Sequence, residues 1–222
     1  MNANFTYFDV HTHKKYIDTD VAFIRNAFHH LSILQLNHIP YHFSVGIHPW
    51  DVRFHYEASL LQVKTSAQHP RCMAIGECGL DYFIKTDREL QKKVFSEHLR
   101  IAEENHKPLI IHCVRAYQDL WPMLKNSNVP AVLHHFTGNA DITERFLQNP
   151  NIYFSFGKQL FSEHLQSDIF SMIPLHRILF ETDTHSRHIE DVYEKAALLF
   201  DLDFEGLVNQ IKRNAQGLFL IQ

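Results

Sequence analysis

Six residues of this 222-residue chain combine side-chain type and position in a way that suits metal binding: His11, His13, Glu77, His112, His134 and Asp183. Each lies at or just past the end of a short apolar run, as in Tyr7-Phe8-Asp9-Val10-His11-Thr12-His13 and Leu109-Ile110-Ile111-His112. Side chains alternate along an extended segment, so His11 and His13 project to one side and can share a cation. Glu77 directly follows Ala74-Ile75-Gly76, an expensive place for a charge unless it is paired or ligated. Imidazole and carboxylate donors suit Zn, Mn, Fe or Ni, and a carboxylate such as Glu77 can bridge two divalent ions. Such a pair lowers the pKa of bound water and holds a phosphoryl or acyl oxygen opposite the resulting hydroxide. Metal-assisted hydrolysis is therefore the reaction class.

The elements that must position these residues are legible as apolar runs. Strand-length candidates are residues 5–10, 21–28, 43–47, 73–76, 108–111, 131–133, 152–156 and 178–180, of which 21–28 is the weakest. Several are almost continuously apolar, as in parallel strands covered on both faces. Residues 88–106 space Leu90, Val94, Phe95, Leu99 and Ile101 by threes and fours, the pattern of an amphipathic helix. Residues 116–125, 141–148 and 161–172 read similarly, Asp141 is an N-cap candidate, and the last forty residues read as wholly helical. Alternating strands and helices predict a compact, distorted (β/α)8 barrel, with too little chain near the start for a full first crossover helix, so that connection reduces to a loop. In a parallel barrel the C-terminal strand ends share one face, which brings all six residues together. A doubly wound open sheet is the alternative, but the chain holds neither G-x-G-x-x-G nor G-x-x-x-x-G-K-[ST].

Composition narrows the class. The chain is 45% hydrophobic and 21% charged with a net charge of −4, and no apolar run approaches the roughly 18 residues of a membrane span. Three cysteines with no CxxC pair indicate neither a disulfide framework nor a zinc ribbon. The first residues lack a basic stretch followed by an apolar one, so the expectation is a cytoplasmic protein of one domain, residues 1–222, without membrane contact. Histidine is abundant, at 18 residues, but the count alone does not separate ligands from surface.

The blocks Gly46-Ile47-His48-Pro49, Gly76-Glu77-Cys78-Gly79-Leu80-Asp81, Pro108-Leu109-Ile110-Ile111-His112-Cys113, His134-His135-Phe136-Thr137-Gly138 and Glu181-Thr182-Asp183 follow His11-Thr12-His13 in an order that resembles TatD-family hydrolases. Asn214 and Phe219 extend the resemblance to residue 219. It implies a distorted (β/α)8 barrel with two divalent metal ions (Zn, Mg or Mn). His11 and His13 would hold one ion, Glu77 would bridge, and His112 and His134 would hold the second. Asp183 would bind the first ion and act as general base. It also implies deoxyribonuclease-like hydrolysis of phosphodiesters, with DNA or a small phosphodiester as substrate. Two departures bear on substrate range: His112-Cys113-Val114-Arg115-Ala116 displaces by one the arginine of the common H-C-R-E-A, and Thr184-His185-Ser186-Arg187-His188 replaces a proline-containing segment.

Around this set, His48 is assigned to the substrate side, and Asp81 to a substrate contact or to a hydrogen bond supporting a ligand. Arg115 and Lys158 are phosphate-contact candidates. His135 alternates with His134 and is expected to face the helical layer in a structural role. Cys78 and Cys113 read as packing, and Trp50 as core or as a platform for a base. His29, His30, His38, His42, His55, His69, His98, His106, His164 and His176 read as surface or loop residues. Two other functions remain open: hydrolysis of a C–N or ester bond in a small molecule, and metal binding without turnover. A structural site would be closed and would need no Asp183 placed for water. Monomer is the default oligomeric state.

Overall fold

The computed structural model describes residues 5–14, 20–27, 35, 37–163 and 167–220. Eight strands pair in sequence order, every neighbouring pair parallel: β1 (Tyr7–Thr12), β2 (Val21–Asn26), β3 (Phe43–Val45), β4 (Cys72–Asp81), β5 (Leu109–Val114), β6 (Ala131–Leu133), β7 (Ile152–Phe156) and β8 (Ile178–Phe180). Among the described residues the helices between and after them include α1 (Glu57–Ala67), α2 (Arg88–Glu104), α3 (Tyr117–Leu124), α4 (Ala140–Leu147), α5 (Ser167–Met172), α6 (Ile189–Phe200) and α7 (Phe204–Phe219). The strands curl into a nearly closed barrel, as the alternation of apolar runs predicts. Leu109, Ile110 and Ile111 are all buried, which explains why β5 shows no polar alternation.

The barrel closes between β1 and β8 by three different devices stacked along the seam. Nearest the C-terminal ends, Thr12 bridges Asp183, with the His13 amide donating to the Asp183 carbonyl (3.1 Å) and the Asp183 amide to the His11 carbonyl (2.9 Å). Below that, the buried Asp9 carboxylate accepts from the Thr182 amide (3.0 Å) and hydroxyl (2.7 Å). Deeper still, the Tyr7 amide is spent on Asp20 beside β2, so the Phe8 amide faces the other way, toward β8. Tyr193 of α6 fills that gap: its hydroxyl accepts from the Phe8 amide and donates to the Phe8 carbonyl, both at 3.1 Å.

Several boundaries differ from the sequence reading for physical reasons. β1, β4 and β5 run past their apolar cores, so His11, Glu77 and His112 sit inside strands. In β4 this continuation depends on Gly79, where a Cβ would lie 2.0 Å from the His112 carbonyl oxygen. The expected strand 21–28 ends at Asn26, and Phe28 lies outside the described residues. The first connection, residues 13–20, is too short for a crossover helix; its residues 15–19 lie outside the described set. Helix α1 was not foreseen because its pattern is poor: Leu61 is exposed while Ser66 is buried. Asn139, not Asp141, caps α4, accepting from the Ile142 amide at 3.0 Å. Over 161–172 a 3-10 turn, Lys158–Phe161, precedes α5, with 164–166 outside the described residues. The last forty residues are not wholly helical: residues 181–188 form the loop after β8, and Asp201 in a left-handed conformation separates α6 from α7. Asn214 has a structural role, its amide donating to the carbonyls of Leu175 and Ile178 at the start of β8.

Removing the Tyr193 hydroxyl leaves a buried amide and carbonyl unpaired at the seam. Tyr193→Phe is expected to lower the unfolding free energy by about 1–3 kcal/mol, seen as a lower urea midpoint at unchanged slope. A midpoint equal to that of the parent protein contradicts this account of closure.

Candidate metal centre

Glu77 organises the site. It is 5% exposed and projects from the middle of β4 into the C-terminal mouth of the barrel. Its Oε1 lies 3.2 Å from His48 Nε2, 3.0 Å from His112 Nδ1 and 2.9 Å from His134 Nε2. Its Oε2 lies 3.3 Å from His11 Nε2 and 3.8 Å from His13 Nε2, and accepts from Asn26 Nδ2 at 3.2 Å. Asp183 Oδ1 stands on the His11 and His13 side, at 3.8 and 3.5 Å from their Nε2 atoms. Each oxygen of one carboxylate thus faces its own set of imidazoles. Among the described residues, three groups lie close enough to share an ion: His11, His13 and Asp183; His11, Glu77 and His134; and His48, Glu77 and His112.

Other side chains fix these imidazoles. Asp81, also on β4, accepts from His112 Nε2 (3.1 Å), which leaves His112 Nδ1 toward Glu77. The same Asp81 oxygen accepts from the Trp50 indole at 2.7 Å, so Trp50 is tied to the ligand framework. Glu181, fully buried, faces His134 Nδ1 at 3.4 Å and accepts from the Ser155 hydroxyl at 2.6 Å. His98 on α2 accepts the Ile47 amide through Nε2 at 2.9 Å while Nδ1 is held by the Val94 carbonyl at 2.8 Å, and this anchors the residue before His48.

Charge follows geometry. Burial opposes ionisation of Glu77, but His134 and His11 outweigh it and hold the carboxyl well below the usual range. Burial likewise disfavours protonated His134, yet Glu77 and Glu181 raise its pKa well above the ordinary imidazole value. Glu181 is brought down to about 2, burial being overcome by His134 and His11. Asp81 is also near 2, with burial offset by hydrogen bonds from His112 and Trp50.

The donor set fits a bound divalent cation. Five imidazoles and Asn26 converge on a single carboxylate, which offers about four lone-pair positions. Both nitrogens of His11 are buried without a hydrogen bond, a cost that coordination would remove. Nitrogen and oxygen donors at this density suit a borderline transition metal or zinc.

The structure brings all six expected ligands together and places His48 and Asp81 beside them. His48 lines the cavity and stands as close to Glu77 as the ligand candidates do, at 3.2 Å. Arg115 takes a left-handed backbone after β5, and its guanidinium lies 5.0 Å from the Phe83 ring, outside the set lining the cavity. That cavity, about 460 Å³, is bounded by His13, His48, Trp50, Glu77, Lys158 and Asp183 among others. His135 corrects the sequence reading. β6 ends at Leu133 and His135 adopts φ 47°, so strand alternation no longer applies and the ring lines the cavity. His98 is a second correction, since it is fully buried rather than on the surface. His29, His30 and His164 lie outside the described residues. Cys78 is buried against the Ile75 and Ile110 carbonyls, as packing predicts, whereas Cys113 touches the cavity. Asn26, Ser155, Glu181 and His98 were missed. Glu181 carried the same signal as Glu77, an acid directly after an apolar strand; His98 carried none, lying on an ordinary helical face.

Comparison with known proteins follows the same lines. The chain is 31% identical over 197 residues to the uncharacterized metal-dependent hydrolase YabD of Bacillus subtilis (strain 168), covering 80% of this chain and 77% of that protein. It is 37% identical over 110 residues to the 3'-5' ssDNA/RNA exonuclease TatD of Musicola paradisiaca (strain Ech703), covering 47% of this chain and 41% of that one. The crystal structure of YjjV, a TatD homolog from Escherichia coli K12, shares the fold with a TM-score of 0.83 at 22% identity, over 98% of this chain and 99% of that one. The model of the TatD-related DNase family matches residues 8–220, nearly the whole barrel and its metal centre, and the chain belongs to that family.

Proposed function

We propose that this chain is a two-metal phosphodiesterase that hydrolyses single-stranded nucleic acid or a small phosphodiester, as a single domain of residues 1–222. The observation that carries the reading is the divided environment of Glu77, with one oxygen toward His11 and His13 and the other toward His48, His112 and His134. On this reading His11, His13 and Asp183 would hold one ion, His112 and His134 would hold the second, and Glu77 would serve both. Bound divalent cations there would make the attacking water more acidic and neutralise charge on the phosphoryl oxygens. Zn, Mn or Mg would serve, and the nitrogen-rich donor set favours Zn or Mn over Mg.

The protein's own groups do the rest. Asp183 accepts the proton of the attacking water, since its carboxylate lies at the open edge of the His11 and His13 set. Asp81 and Glu181 hold His112 and His134 in single orientations, so the donors need little rearrangement during turnover. Exposed aromatics at the mouth favour nucleic acid over a small neutral substrate: Trp50 is 58% exposed and Phe83, just beyond β4, is 69% exposed. The relative from Musicola paradisiaca, a 3'-5' ssDNA/RNA exonuclease by name, agrees with that preference. No helix among the described residues is long and apolar enough to cross a membrane. We assign a monomer acting in the cytoplasm, where reduced Cys72, Cys78 and Cys113 persist.

Asp183→Ala is expected to lower kcat by about 10²- to 10⁴-fold with an unchanged circular dichroism spectrum, the range for loss of a positioned proton acceptor. Glu77→Ala should abolish hydrolysis and reduce bound metal measured by plasma mass spectrometry; undiminished turnover in both variants sinks the assignment. Chelation should remove activity and lower the Tm, and readdition of Zn or Mn should restore both, because ligands that bind only the folded state stabilise it. Raising salt from about 50 to about 200 mM should depress kcat/KM on single-stranded DNA and leave an uncharged ester unaffected. An identical salt response on both substrates would favour the small-molecule alternative.

A further inference from the structure

Among the described residues that line the cavity, Lys158 alone carries a permanent positive charge, while Asp51, Glu77 and Asp183 supply carboxylates. Its ammonium has no hydrogen-bond or ion-pair partner among the described residues, although acids stand around the same mouth. The residue is exposed, yet its backbone is held firmly. It opens the 3-10 turn Lys158–Phe161, just after Gly157, where a Cβ would sit 2.4 Å from the Glu181 carbonyl oxygen. At the other end of the turn, the Phe161 ring lies 4.1 Å beneath the Arg187 guanidinium and is stacked with His185. Lys14 in turn holds the Arg187 carbonyl. The segment 184–188, which departs from the pattern after Glu181-Thr182-Asp183, therefore braces the turn that presents Lys158.

Neighbouring groups extend the feature. His135 and Thr137 line the same cavity. His135 Nδ1 is buried without a hydrogen bond, standing 3.8 Å from Glu181 Oε1. The other described residues of the lining, His48, Trp50 and Asp51 among them, bring no comparable cation. An anionic group beyond one held at the metal centre therefore finds its favourable place beside Lys158.

We propose that Lys158, with His135 and Thr137 beside it, forms a subsite for a second phosphate, so that the protein selects substrates carrying a phosphate next to the scissile one. The proposal rests on the phosphodiesterase reading and names the substrate feature that the same site recognises. Lys158 acts on binding and not on the reacting atoms. The second phosphate is either a terminal monoester or the next internucleotide diester.

The test compares a hydroxyl-ended thymidine dinucleotide, its 5′-phosphorylated and 3′-phosphorylated forms, and the hydroxyl-ended trinucleotide. Binding is read by titration calorimetry with chelator present, and KM and kcat on the metal-loaded protein. At least one ligand with a second phosphate should bind about 5- to 20-fold tighter than the plain dinucleotide, the scale of one charge-assisted hydrogen bond in a partly exposed site. Lys158→Met should erase that preference, and Lys158→Arg should keep it. The ligand that gains identifies the source of the phosphate. Equal binding of all four ligands by the parent protein overturns the proposal, as does a uniform loss across them in Lys158→Met. If the metal-loaded protein cleaves no phosphodiester while the preference and its loss in Lys158→Met persist, the hydrolytic reading falls and the subsite stands.

Discussion

One buried carboxylate surrounded by imidazoles is the constraint on which the rest of this structure depends. Glu77 accepts close approach from His48, His112 and His134 on one oxygen and from His11 and His13 on the other. A negative charge so deeply buried is tolerable only if its partners come to it, and here they come from β1, β5, the end of β6 and the loop after β3. A closed parallel barrel is well suited to this, because every strand delivers its C-terminal end to one small circle.

Much of the remaining architecture serves to keep those ends in register. The seam between β1 and β8 brings His11 and His13 to Asp183, and it is fastened by backbone pairing, by Asp9 and by the Tyr193 hydroxyl in turn. Arg177 plays a related part at the opposite end, its guanidinium donating to the carbonyls of Ile152 and Asn149 at 2.6 Å and so joining the start of β7 to the turn before it. Around the mouth, Asp81 ties His112 to Trp50, so an exposed aromatic and a candidate ligand share one carboxylate. A base stacking on Trp50 would thus meet a ring whose position is set by the metal centre.

The strand order and the six central residues were legible because two strong signals coincide: continuous apolar runs, and histidine or acid at their ends. Positions that depend on local departures from regular geometry were not. His135 was misplaced because alternation was extended past Leu133, where the chain leaves the strand. His98 and Asn26 act through contacts between residues far apart in sequence, with Ile47 and Glu77, and no local pattern reports such pairs. Helix α1 escaped notice because its exposed Leu61 and buried Ser66 invert the usual amphipathic order. Glu181, by contrast, had the signal of a buried acid after a strand and was overshadowed by Asp183 two residues later.

Anomalous diffraction from crystals grown with zinc or manganese tests the central claim most directly. The account predicts two peaks flanking Glu77, one among His11, His13 and Asp183 and the other beside His112 and His134, separated by about 3.5–4 Å as in two-metal hydrolytic sites. A single ion, or a pair that leaves Glu77 uncoordinated, would contradict it.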